Sequence, residues 1–127
     1  METKHQNNVK VAAQAIYLDE QSEPAAKRFV FAYKISILNL GTEAAKLTHR
    51  HWHITDANGK VEEVHGEGVI GEQPYLKPGE RFEYSSGAIL ETPVGAMQGY
   101  YDMSSDDGSQ FKADIEPFTL AAPGSLH

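Results

Sequence analysis

Period two governs this chain from end to end. Val9, Val11, Ala13 and Ala15 share one side of a run that Tyr17 closes, which predicts a strand. Residues 19–27, with Pro24 and four charges, are too polar and too broken for more than a turn or one helical turn. Phe29, Phe31, Tyr33, Ile35 and Ile37 then share one face against Lys34 and Ser36, and Asn39-Leu40-Gly41 ends that strand. Five large side chains on one face imply a packed core on that side. From about Leu47 to Asp56, Arg50, Trp52 and Ile54 lie on the inward face, leaving His49, His51 and His53 outside. Asp56-Ala57-Asn58-Gly59 is a hairpin turn. In the returning strand, Lys60 to His65, Val61 and Val64 are three apart, which breaks period two and predicts a bulge.

A glycine-rich segment, Pro74, Pro78 and Gly79 come next, and alternation resumes over Arg81–Gly87 with Phe82 and Tyr84 on one face. Beyond the turn at Thr92-Pro93-Val94-Gly95, Met97, Gly99, Tyr101 and Met103 oppose Gln98, Tyr100 and Asp102. Asp106-Asp107-Gly108 makes another hairpin. The last strand turns Phe111, Ala113 and Ile115 inward and is expected to weaken at Pro117, with a loose tail from Ala121 to His127. About seven short strands with turn chemistry between them, and no long amphipathic helix, predict an all-β fold, an antiparallel β-sandwich. Trp52 resembles the buried tryptophan of immunoglobulin-like sandwiches, and Tyr101 sits where a tyrosine corner would be. Together they favour an immunoglobulin or fibronectin type III-like arrangement over a barrel.

The 127 residues fit a single domain, 1–127, with a core over about 9–120. At this length roughly two-thirds of the unfolded surface can be buried, so neither disulfides nor a structural metal is needed. The absence of cysteine excludes both a disulfide framework and a thiolate zinc site. A formal charge of −7 and a pI near 5.3 make phosphate backbones and anionic membranes poor partners, so neither nucleic acid nor membrane is expected. Met1 to Asn8 is polar, without the apolar core of a signal peptide, and no apolar run approaches the ~20 residues of a membrane span. A cytoplasmic protein is the expectation.

Two features invite a chemical reading. Gly66-Glu67-Gly68-Val69-Ile70-Gly71 reads as G-x-G-x-x-G, but a dinucleotide turn must open a helix on whose N-terminus the pyrophosphate sits. Pro74 and Pro78 forbid that helix, and Glu62, Glu63, Glu67 and Glu72 would repel phosphate. The segment reads instead as a shaped loop whose amides form, at most, a nest for a small pyrophosphate-like anion. The second feature is His49, His51 and His53. Alternate strand residues point the same way about 7 Å apart, so two imidazoles with Glu63 can share a divalent metal. Solvent-facing histidines are the simpler explanation, and no cofactor is required. Nucleophilic and paired-carboxylate catalysis find no support, because the serines lie in no nucleophile-elbow context and Glu62-Glu63 and Asp106-Asp107 are adjacent neighbours that diverge. The chain therefore reads as a non-enzymatic binding module. Its candidate ligand-contacting residues are Arg50, Gly66, Glu67, Gly68, Gly71 and the exposed aromatic Tyr100. An outer face bearing aromatics and histidines also suits a homodimer.

Arg50-His51-Trp52 with Ile54-Thr55-Asp56 and Gly59, Gly66-Glu67-Gly68-Val69 with Gly71-Glu72-Gln73-Pro74, and Leu76 with Pro78-Gly79-Glu80 form an ordered series of motifs. It continues through Tyr84 with Ser86-Gly87, Thr92-Pro93 with Gly95, Met97, Gly99 and Tyr101, and Pro117-Phe118 with Leu120 and Pro123. By this series the chain resembles the ApaG family, also described as CorD or domain of unknown function 525, from about Val9 to Leu126. The resemblance implies an immunoglobulin or fibronectin type III-like sandwich. It also implies links to cobalt resistance and magnesium efflux in bacteria, where the gene often lies beside a diadenosine tetraphosphate hydrolase. In eukaryotes it implies attachment to F-box proteins and to a DNA polymerase delta-interacting protein, which suits a protein-binding role. It supplies no catalytic residues. His51 falls in the Arg-His-Trp motif; His49 and His53 do not.

Overall fold

The computed structural model describes residues 7–125, so residues 1–6 and the last two residues of the tail lie outside it. Eight strands follow in order: β1 (Val9–Tyr17), β2 (Phe29–Asn39), β3 (Ala45–Asp56), β4 (Val61–Glu67), β5 (Tyr75–Leu76), β6 (Arg81–Leu90), β7 (Val94–Ser105) and β8 (Gln110–Ala121). Residues 19–27, expected to hold no more than a turn, form two single 3₁₀ turns, Asp19–Gln21 and Pro24–Ala26. One antiparallel sheet has the order β1-β2-β6 and the other β4-β3-β7-β8, with two-residue β5 paired to the start of β3. This is the expected immunoglobulin or fibronectin type III-like sandwich. The strand beyond the seven anticipated, β5, is too short to show alternation.

The inward faces meet in one core. Phe31, Tyr33, Ile35 and Ile37 of β2 face Leu47, Trp52, Met97, Tyr101, Met103, Ile115 and Leu120 of the larger sheet, and none is more than 6% exposed. Trp52 meets the rings of Tyr33, Phe118 and Tyr101 edge-on, the geometry that aromatic quadrupoles prefer.

Three expectations about phase need correction. The β3–β4 register runs unbroken from His49 opposite Glu67 to Thr55 opposite Val61, so β4 has no bulge and Val61 simply points outward, 47% exposed. The irregularity lies in β3, where the pairing with β7 slips between Leu47 and His49. The extra residue, Thr48, switches the inward set from Ala45 and Leu47 to Trp52. In β8, Glu116 and Pro117 together oppose Gln98, so Pro117 sits in a bulge on an edge strand, where its missing N–H disrupts nothing. The strand therefore continues to Ala121 and buries Leu120 completely. Ala122 is also buried, its N–H donating to the Pro93 carbonyl, so the described part of the tail is tied down.

Tyr101 is not a tyrosine corner. Its hydroxyl pairs with that of Tyr84 at 2.5 Å, joining β7 to β6 across the sandwich rather than reaching back to the backbone. Burial raises the Tyr101, Tyr84 and Tyr33 pKa values above the ordinary 10.0, because the phenolate loses its hydration there. In the unfolded chain these hydroxyls ionise near 10.0, whereas in the fold they hold their protons to higher pH. Stability is thus full below about pH 10 and lost as pH rises beyond it. Urea midpoints measured from about pH 8 to about pH 11 are expected to fall, and Tyr101→Phe to flatten the fall. A pH-independent midpoint would contradict this origin.

β1 lies against β8 and closes one side of the sandwich. On the other side, the outer edges of β4 and β6 pair with no strand among the described residues. A groove of about 490 Å³ runs between them, lined by Val30, Ile54, Val64, Ala88 and Ile89, with Gln21, Arg28 and Glu62.

Candidate functional site

The β3–β4 hairpin builds the outer face of the larger sheet. Asp56 Oδ1 accepts from the N–H groups of Asn58 and Lys60 at 2.8 and 2.9 Å, which fixes the turn and hence the register. That register sets His53 opposite Glu63 and His51 opposite His65, and across β7 it sets His51 opposite Tyr100. Directly opposed side chains on one face interact, and these do. His51 Nδ1 lies 2.7 Å from His65 Nδ1, and His51 Nε2 lies 2.7 Å from Asp102 Oδ2. Glu63 stands between two imidazoles, 3.8 Å from His53 Nδ1 and 3.9 Å from His65 Nε2. Tyr100 stacks on His51 with centroids 4.3 Å apart, and Lys112 Nζ of β8 lies 4.4 Å from the Tyr100 ring centre.

Proton bookkeeping constrains the His51–His65 contact. Two facing Nδ1 atoms at hydrogen-bond distance hold one proton between them, and His51 Nε2 must carry another to donate to Asp102. His51 is therefore oriented from both ring nitrogens. The depression above these rings holds about 230 Å³ and includes His51, His53, Glu63, His65 and Tyr100.

The sequence-predicted metal set is only partly assembled. His51, His53 and Glu63 come together as expected, but His49 stands outside, its Nδ1 against the Thr48 hydroxyl at the bulge. Both His51 nitrogens are already engaged, and among the described residues no three His, Asp or Glu side chains form a set able to hold a metal ion. His65, Asp102 and Lys112 belong to the cluster and were not among the candidates.

The glycine segment is a structural device. No helix follows it; β5 does. Gly66 lies within β4, where a Cβ would stand 2.7 Å from the Arg50 guanidinium carbon. Gly68 has φ +61, and a Cβ there would lie 2.1 Å from the Glu72 carbonyl oxygen, so only glycine fits. Val69 and Glu72 exchange N–H···O bonds at 2.8 and 2.9 Å around Ile70 and Gly71, both at positive φ, a tight turn of the primed hairpin type. The Gly68 N–H donates to the Thr48 carbonyl. Three of the amides that an anion nest would need, those of Gly68, Val69 and Glu72, are thus committed to backbone acceptors. Arg50 Nη1 donates to the Glu67 and Gly68 carbonyls at 3.0 Å each, fastening the segment to β3 rather than offering itself to a ligand. Among the described residues, no helix is long and apolar enough to cross a membrane.

Residues 19–105 match the family model of the ApaG domain. The protein ApaG of Thiobacillus denitrificans is 60% identical over 124 residues, 98% of this chain and 96% of that one. The protein ApaG of Xylella fastidiosa (strain M12) is 55% identical over the whole of both chains. A crystal structure of the ApaA protein from Bordetella pertussis superposes with a TM-score of 0.92 at 43% identity, covering 96% of this chain and 99% of that one. With the motifs, the sandwich and full-length relatives all in accord, the chain belongs to the ApaG family.

Proposed function

We propose that this chain is a non-enzymatic binding module of the cytoplasm that engages a protein partner through the outer face of the β4-β3-β7-β8 sheet. The observation that carries the reading is the His51–Tyr100–Lys112 stack, held from both sides and bordered by His65 and Glu63. Aromatic and charged side chains already fixed in place lose little rotamer freedom on binding, which favours them as anchors. Exposure argues against chemistry at this face. The His65 and Glu63 side chains are 60% and 61% exposed, too wet to strengthen a developing charge. A photoreactive residue at position 53, introduced in the native cell, is expected to give a discrete adduct with one protein. The same residue at Gln14, on the other sheet, is expected to give none. Equal labelling at both positions, or none at either, would count against the reading.

A further inference from the structure

The free edge of β4 has properties that the outer face does not explain. At one end of the β3–β4 pairing the Asp56 N–H donates to the Lys60 carbonyl, and at the other the Gly68 N–H donates to the Thr48 carbonyl. Antiparallel ladders alternate hydrogen-bonded and non-hydrogen-bonded pairs, and the register between these ends is unbroken. Glu62, Val64 and Gly66 therefore bond toward β3, while Val61, Glu63, His65 and Glu67 turn their N–H and C=O groups away from it. This row of backbone donors and acceptors has no strand beside it among the described residues.

Exposed edges are ordinarily blunted with lysine, proline or a bulge. β4 has no lysine, proline or bulge; its guard is three carboxylates, Glu62 turned toward the groove and Glu63 and Glu67 outward, which repel an acidic edge but are neutralised by a basic strand. Behind the edge lies the groove floored by Ile54 and Val64 and flanked by Ile89, which is 52% exposed, with Gln21, Arg28 and Glu62 also lining it. The side chains of Glu63 and Glu67 lie on the outer face, and that of Glu62 lines the groove.

We propose, building on the protein-binding reading above, that the β4 edge is a strand-addition site for an extended basic segment of the partner protein. The segment adds a fifth long strand to the larger sheet, its backbone completing the ladder at Val61, Glu63, His65 and Glu67. Its alternate residues, aliphatic ones, enter the groove between β4 and β6. The residues between them are Lys or Arg, and they meet Glu63 and Glu67. Strand addition draws affinity from the main chain and selectivity from alternate side chains, and here both are laid out with period two. Charge also disfavours a second copy of this chain, because self-pairing would bring together two edges with three carboxylates each.

The probe is a fluorescent peptide of about eight residues alternating lysine and valine, a length typical of strands. It is expected to bind the full chain and to slow amide exchange at Val61, Glu63, His65 and Glu67. Two further peptides of the same sequence and charge carry backbone N-methyl groups on every lysine or on every valine. The one methylated on the amides that face β4, those of the lysines for an antiparallel segment, should bind at least tenfold more weakly than the other. The double variant Glu63→Lys/Glu67→Lys should lose at least tenfold for the lysine–valine peptide and gain binding to a glutamate–valine one. Glu63→Pro removes an outward N–H without removing a bond to β3. With its fold checked by circular dichroism, it should weaken binding at least tenfold more than Glu63→Gln does. Equal binding of the two methylated peptides would overturn the proposal, as would protection mapping away from β4, or protection of β4 that grows with protein concentration in the absence of peptide. A crosslinked partner at position 53 combined with any of these outcomes leaves the binding module standing and removes only the strand-addition mode.

Discussion

Trp52→Ala is expected to lower stability by about 3–5 kcal/mol, the usual cost of truncating a buried aromatic. Trp52 is 4% exposed, and its ring centroid lies 5.4 Å from Tyr33, 6.0 Å from Phe118 and 6.4 Å from Tyr101. These partners come from β2, β8 and β7, so the cavity would open where both sheets converge and could not close by moving one strand. In a domain of this size such a loss lowers the melting temperature by about 10–20 °C. Because Trp52 is the chain's one tryptophan, unfolding must be followed by circular dichroism rather than indole fluorescence. Trp52→Phe should recover part of the loss. A cost below about 1 kcal/mol for the alanine variant would show that the core collapses readily around the site, contrary to close packing.

The second large effect is expected at Gly99. A Cβ there would stand 1.9 Å from the His51 carbonyl oxygen and 3.2 Å from the Trp52 Cα, backbone atoms of the neighbouring strand. No rotamer change relieves such a contact. Gly99→Ala must push β7 away from β3, at or above the upper end of the 1–3 kcal/mol typical of overpacking. The shift should also reach the outer face, because Tyr100 follows directly and stacks on His51. Ring-current shifts of the His51 imidazole would report it together with the unfolding midpoint. Gly108→Ala is the control: no heavy atom lies within 4 Å of its added Cβ, so only the strain of φ +91 applies, about 1 kcal/mol. Equal losses from the two variants would rule out the steric origin.

The sandwich was legible because a half-buried strand writes its burial into every second residue. Phe29 to Ile37 and Met97 to Met103 are the clearest cases, and both sets face the core. Bulges write nothing comparable. Thr48 is an ordinary strand residue, so the slip at β3 left no compositional mark. Pro117 reads as a weak point because proline breaks a central ladder, whereas the structure gives it an edge strand and a bulge.

The outer-face cluster was half legible. The turn at Asp56-Ala57-Asn58-Gly59 fixes the register, and counting back from it sets His65 opposite His51 and Glu63 opposite His53. Reading a bulge into Val61 and Val64 broke that count and hid His65. Asp102 and Lys112 arrive through pairings with β7 and β8, which no local spacing announces. Arg50 alternates onto the inward face, where a charged side chain suggests a ligand contact. Its side chain is long enough to reach the carbonyls of the glycine segment, and there it serves the fold.

The seam between β1 and β8 has a consequence for how the chain is made. Ribosomes release the amino end first, yet the strip formed by Val9, Val11 and Ala13 packs on a core completed by Ala113, Ile115 and Leu120. Asn7 likewise bonds the Ser109 hydroxyl, from a residue 102 positions later. Every strand from β2 to β8 must therefore emerge before β1 finds its cover on this seam. During synthesis the nascent chain would carry an uncovered aliphatic strip, the kind of surface that draws chaperones and misassociation. Closure of that seam by the last strand would be the event that turns a vulnerable nascent chain into a finished domain.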